Sequence, residues 1–174
     1  MSPAVLTTDR LILRAPEARD RDAFVGFCMD ERSKWFGGPL TSSDARDAFD
    51  TWMSMADAAS QGECYLSIAL RDTGETIGRA GIRSGDDRPE AEIAYALYSS
   101  DHEGQGFASE AAVALREWGF GALGLDTLVS YIAPDNHRSA ALVLRIGATQ
   151  DPTATPWPKY DDLNVFRHPK GSFL

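Results

Sequence analysis

The sequence predicts a mixed α/β fold whose first half is antiparallel. Three consecutive segments in mid-chain alternate apolar and polar residues with period two, and only short turns join them. Segments on either side carry the helical period of 3.6 instead. Connections this short favour an antiparallel meander, because parallel strands need a crossover.

In chain order, Leu11 to Arg14 reads as a first strand after the polar entry Thr7-Thr8-Asp9. Residues 18–30 place Ala23, Phe24, Phe27 and Cys28 on one helical face. Trp35-Phe36-Gly37-Gly38-Pro39 breaks the chain, and Ser43 is expected to cap a second helix. That helix would bury Ala45, Phe49, Trp52, Met53 and Ala56. Cys64–Leu70, Thr76–Arg83 and Glu90–Tyr98 are the three alternating segments, with turns at Asp72-Thr73-Gly74 and Ser84-Gly85-Asp86. A helix from Ala108 to Leu123 stops at Gly124, and Thr127–Ala133 is a strand. Arg138–Ile146 is a helix closed by Gly147, and Leu163–His168 is the last strand. No repeat or long linker interrupts this order, so one domain over residues 1–174 is expected.

Composition narrows the partners. The chain has 26 acidic and 17 basic residues, a net charge of −9. That field repels phosphate backbones and argues against general nucleic-acid binding. It would favour a cationic acceptor such as an amine, though solubility is the better reading of net charge alone. No apolar run approaches membrane-spanning length, and Met1-Ser2-Pro3-Ala4-Val5 has no signal-peptide character, so a cytoplasmic location without membrane contact is expected. Cys28 and Cys64 then read as buried thiols. Oligomeric state is not legible, and a homodimer is compatible with the sequence.

The stretch Glu103-Gly104-Gln105-Gly106-Phe107-Ala108-Ser109-Glu110 leads from a strand into a helix. Glycines there let a ligand approach the backbone, and the first N–H groups of the helix have no internal partner. With the helix dipole they make a site for a diphosphate. A Walker A loop requires a lysine that this segment lacks. The dinucleotide fingerprint requires a third glycine where Ser109 stands, after a parallel strand. Judged alone, the glycines serve a tight turn equally well.

The company they keep is more specific. Gly106 and Ala108 fit the Arg/Gln-x-x-Gly-x-Gly/Ala loop of the GNAT superfamily of N-acetyltransferases, with Glu103 at its first position. Leu6-Thr7-Thr8-Asp9-Arg10-Leu11-Ile12-Leu13-Arg14 resembles the opening of that superfamily's RimJ/RimL branch, which acetylates ribosomal-protein N-termini. Ala91-Glu92-Ile93-Ala94-Tyr95 is similar to the branch's fourth strand. Pro134-Asp135-Asn136-His137-Arg138-Ser139, ending at Ile146-Gly147-Ala148, is similar to its Asn-x-x-Ser…Gly segment. Four segments in the same order cover residues 6 to about 148.

The resemblance implies a mostly antiparallel sheet with helices on both faces, splayed between its fourth and fifth strands. It implies acetyl transfer from acetyl-CoA to a primary amine, on a peptide N-terminus or a small molecule, by direct attack. The backbone of Ala96, Leu97 and Tyr98 would pair with the pantetheine arm, and the N–H near Leu97 would polarise the thioester carbonyl. Main-chain N–H groups of Gly104, Gln105, Gly106, Phe107, Ala108 and Ser109 would hold the diphosphate. Glu103 is expected to point away from it.

Candidate catalytic residues follow. Glu92 would be the base, sharing a strand face with Glu90, Ala94, Ala96 and Tyr98, where flanking alanines can desolvate it. A solvated or structural carboxylate fits that position too. Relatives carry a tyrosine as thiolate acid where Val143 stands here, which leaves Asn136 and Ser139. Asn136 is also a good helix cap. Arg138 is placed to reach an adenosine 3′-phosphate or to lie exposed on its helix. Trp35, Phe36 and Trp52 would line the acceptor cleft or join the core, and residues 152–158 would border it. His102, His137 and His168 lack metal-ligand spacing, so no metal is expected. A non-catalytic acyl-CoA sensor on the same scaffold is the competing reading, ahead of a purely structural interaction domain.

Overall fold

The computed structural model describes residues 5–55, 65–85, 87–160 and 162–171. Eight strands form one sheet: β1 (Leu6–Thr7), β2 (Leu11–Arg14), β3 (Tyr65–Leu70), β4 (Thr76–Arg83), β5 (Glu92–Leu97), β6 (Val129–Ile132), β7 (Thr149–Gln150) and β8 (Asn164–Arg167). Their order across the sheet is β1-β2-β3-β4-β5-β6-β8-β7. Every pairing is antiparallel except β5 with β6, which are parallel and joined at one residue pair, Glu92 with Val129. Four helices flank the sheet: α1 (Arg21–Met29), α2 (Ser42–Ser54), α3 (Phe107–Gly121) and α4 (His137–Arg145).

Strand alternation assigns the helices to opposite faces. On β5, Ile93 belongs to the core under α3 and α4, with Ala111, Leu115 and Val143. Ala96 and Tyr98 belong to the cluster under α1 and α2, with Phe24, Phe27, Phe49 and Trp52. Gly119 lets α3 lie close on the sheet, because a Cβ there would meet Ile82 Cδ1 and Leu128 Cδ1, both at 2.7 Å.

The interior strands and helices lie where the sequence puts them, with ends shifted by a few residues. Differences have local causes. Thr41, not Ser43, caps α2: its Oγ1 accepts the Asp44 N–H at 3.1 Å, and Ser43 lies exposed inside the helix. β1 and β7 are two-residue strands, too short to show a period. A 3-10 turn, Ser100–His102, separates β5 from the glycine loop, so the two are not directly joined. Ala45, Phe49 and Trp52 are buried as expected and Met53 is partly so. Ala56, Cys64 and Asp86 lie outside the described residues, whereas Cys28 is a buried free thiol.

A buried carboxylate ties α1 to three strands. Asp20, with no exposed surface, accepts from both Arg14 terminal nitrogens (2.8 and 2.9 Å), Ser67 Oγ (2.7 Å), Thr76 Oγ1 (2.6 Å) and the Glu17 N–H (2.9 Å). These donors outweigh burial and hold its carboxyl far below the ordinary range. A depressed folded-state value means stability present above the unfolded value and lost as pH falls through the acid range. Asp20→Asn should therefore cost about 3 kcal/mol at neutral pH, since Arg14 loses its buried partner. Urea unfolding at pH 7 measures this, and the difference from wild type should shrink toward pH 2.

Candidate functional site

The divergence of β5 and β6 creates the cleft. Val129 N–H donates to Ala91 O at 3.0 Å, and Ser130 Oγ donates to Ile93 O at 2.8 Å. Beyond Ile93 the strands separate. Tyr98 N–H is given to Ile77 O of β4 at 2.8 Å, so Ala96 and Tyr98 direct their main-chain groups at β4. By the same alternation Tyr95 and Leu97 direct theirs into the gap. Of the three residues expected to pair with a pantetheine arm, Leu97 alone presents its N–H there, and Tyr95 joins it. Tyr98 instead packs its ring on Phe24 and Phe27.

The cleft encloses about 1610 Å³. It reaches the glycine loop at one end and Trp157 at the other. Gly104 (φ 71°) and Gly106 (φ 83°) adopt left-handed backbone that disfavours any side chain, and Gly106 caps α3. The first intrahelical bond is Glu110 N–H to Gly106 O at 3.0 Å. N–H groups of Phe107, Ala108 and Ser109 precede it and have no helical acceptor. They are the donors a diphosphate needs.

The β1–β2 hairpin braces this loop. Arg10 donates to Gln105 O (2.8 Å) and Glu110 Oε2 (2.7 Å), and stacks on the Phe107 ring at 4.5 Å. Thr8 Oγ1 donates to Glu110 Oε1 at 2.6 Å. The opening motif thus has a mechanical role: Thr8 and Arg10 hold the first turn of α3 and neutralise Glu110 beside the anion site. Glu103 is likewise neutralised, gripped by Arg32 and Arg138. Arg138 therefore spends its charge on Glu103, and Arg32 also donates to Leu97 O at 3.4 Å.

The remaining candidates surround the cleft. Glu92 is buried, with Arg88 Nε at 3.0 Å; burial pushes its carboxyl up, opposed by Arg88. Glu90 lies outside the cleft wall, ion-paired to Arg167. Asn136 caps α4, accepting Ser139 N–H at 3.3 Å. Ser139 is half-buried at the wall, and its carbonyl accepts the Tyr95 hydroxyl at 3.3 Å. Val143 is fully buried in the core. Trp35, Phe36, Trp52 and Trp157 line the cleft, the last from the loop at 152–158. Among the described residues no His, Cys, Asp or Glu cluster is arranged to hold a metal, and no helix is long and apolar enough to cross a membrane.

The sequence reading missed Tyr95, Arg32, Arg79, Arg83 and Arg88, all of which line the cleft. Arg79 and Arg83 carried the one available signal: cations four apart on an otherwise apolar strand share a face.

A family described as "Acetyltransferase (GNAT) domain" matches residues 10–149. The uncharacterized N-acetyltransferase p20 of Bacillus licheniformis is 32% identical over 140 residues, 79% of this chain and 78% of that protein. The uncharacterized N-acetyltransferase YoaA of Bacillus subtilis (strain 168) is 33% identical over 147 residues, 82% and 81% of the two. Among solved structures, an acetyltransferase from Agrobacterium tumefaciens str. C58 superposes with a TM-score of 0.84 at 40% identity, covering 98% of this chain and 96% of that one.

Because Arg10 restrains the loop through charge-assisted bonds, Arg10→Ala should weaken CoA binding about 10-fold while leaving the fold intact. Calorimetry with CoA, beside a thermal melt, checks both halves of that statement.

Proposed function

The chain belongs to the GNAT acetyltransferase family and transfers an acetyl group from acetyl-CoA; from that premise we propose that its acceptor is a primary amine, entering from the α1–α2 face. One observation carries this: the Tyr95 and Leu97 edge, which no strand pairs, lies between a diphosphate-ready loop and a buried carboxylate, Glu92, on the acceptor side.

In this reading the Leu97 N–H polarises the thioester carbonyl. The amine nitrogen attacks the carbonyl carbon, the C–N bond forms and the C–S bond breaks. Glu92 accepts the amine proton, for which a raised pKa suits it. The departing thiolate takes a proton at the α4 side, where Ser139 and the Tyr95 hydroxyl lie. Asn136 positions Ser139 by capping its helix, and its amide lines the same wall. Main-chain N–H groups from Gln105 to Ser109 hold the diphosphate, with Gly104 and Gly106 supplying the turn. Arg138 reaches a 3′-phosphate only by leaving Glu103. The bracing of Glu110 by Thr8 and Arg10 supports the RimJ/RimL-like branch, and hence a peptide N-terminus or a similar small amine as acceptor.

Glu92→Gln should lower kcat about 100-fold. Wild-type turnover should fall with acid along a limb above the ordinary carboxylate range, because the base works only when deprotonated. The variant should lack that limb. A thiol-release assay across an amine panel and a pH series measures both, and unchanged turnover in Glu92→Gln and Ser139→Ala would remove these two roles.

A further inference from the structure

We propose that the acceptor carries an anionic group, a carboxylate or a phosphate, beside its amine, and that Arg79 and Arg83 receive it. The inference rests on the amine-acetylation reading above and narrows its substrate class.

Arg79 and Arg83 stand four residues apart on β4, opposite Ala96 and Glu92 of β5. Cross-strand partners share a face, so both side chains lie on the α1–α2 side with Ala96, away from α3 and its diphosphate loop. Both line the cleft. Neither makes an ion pair among the described residues, and the Nε of each is buried without an acceptor. Their other contacts are rings. Arg79 lies 4.4 Å from the Tyr65 centroid, 5.1 Å from Phe24 and 5.4 Å from Phe36, and Arg83 lies 5.0 Å from Tyr65. Ring faces fix a guanidinium in place and leave its in-plane donors free.

Carboxylates balance this charge only in part: Glu92, opposite Arg83, feels its charge but makes no ion pair with it. Glu92 shares the face, yet its direct partner is Arg88, itself stacked on Trp157 at 4.3 Å. Glu103 is held by Arg32 and Arg138. Asp162, at the rim, is exposed and makes no ion pair with either arginine. In a chain of net charge −9, two half-buried guanidiniums with buried Nε atoms stand here without an ion pair among the described residues. Buried donors without acceptors are costly unless something else satisfies them. The guanidinium fork matches a carboxylate or phosphate, and the cluster repels a polycation. The cleft thus reverses the expectation drawn from net charge: an amine enters, but not as part of a polyamine.

Two measurements test this. In the CoA-saturated protein, the Arg79 and Arg83 Nε–H resonances, assigned through Arg79→Gln and Arg83→Gln, are followed during titration with acetate and with inorganic phosphate against chloride. Both should move, and the stronger anion distinguishes the two sources; no movement beyond chloride overturns the proposal. In thiol-release assays an amino acid is compared with its amide, and phosphoethanolamine with ethanolamine. The charged member of at least one pair should be preferred about 10-fold, and each Gln variant should lose that preference while keeping its CoA affinity. Equal turnover of charged and neutral members overturns it. Absence of CoA binding would instead sink the acetyl-transfer reading, and the anion titration, run then on the free protein, still decides this one.

Discussion

One hydroxyl decides where the sheet stops being continuous. Ser130 reaches from β6 to Ile93 O just past the only main-chain pair between β5 and β6, and itself contacts His168 Nε2 at 3.0 Å. Buried among apolar neighbours, His168 is pushed down to about 4 by burial and by Arg116, so it stays neutral at ordinary pH. The open strand edge lies beyond this staple. There Tyr95 and Leu97 present main chain that no strand pairs, whereas Glu92 sits at the joined pair itself. A strand edge left open inside a protein is costly unless something completes it, which is why the gap reads as a binding groove.

The cleft separates its two chemistries by strand parity. Residues of β5 with odd numbers look toward α3, α4 and the glycine loop. Even-numbered ones look toward α1, α2 and the arginines. A molecule lying in the gap is therefore touched by one set of groups from below and another from above. Glu103 and Glu110, which flank the glycine loop, are each ion-paired to arginine. The loop can thus attract a diphosphate within an acidic chain.

Much of the fold was legible because its interior elements carry strong periods. β4 alternates Ala80 and Ile82 against cleft-facing Arg79 and Arg83, and α3 buries Ala111, Ala112 and Leu115. What escaped was short or non-local. β1 and β7 are two residues each, and the Thr41 cap competed with two serines beside it. Asp20 reads as an ordinary exposed aspartate until Arg14, Ser67 and Thr76 converge on it from three strands. At the site, the glycine loop was visible through local backbone demands. The direction of each main-chain group on β5 was not, because it depends on which neighbour β5 pairs with. The arginine cluster was hidden for the same reason: its surroundings depend on which strand lies beside β4.

The missing methyl at Gly119 has a consequence on the far side of the sheet. Helix α3 touches Ile82 on the β4 side of the split and Leu128 at the threshold of β6, and both contacts fall on that single residue. The helix is in effect the spine to which two leaves are bound. A methyl there would press on the Cδ1 ends of both side chains, which would have to turn aside for the helix to keep its seat. The seat of α3 across the split is thus set from behind, at a position outside the cleft lining.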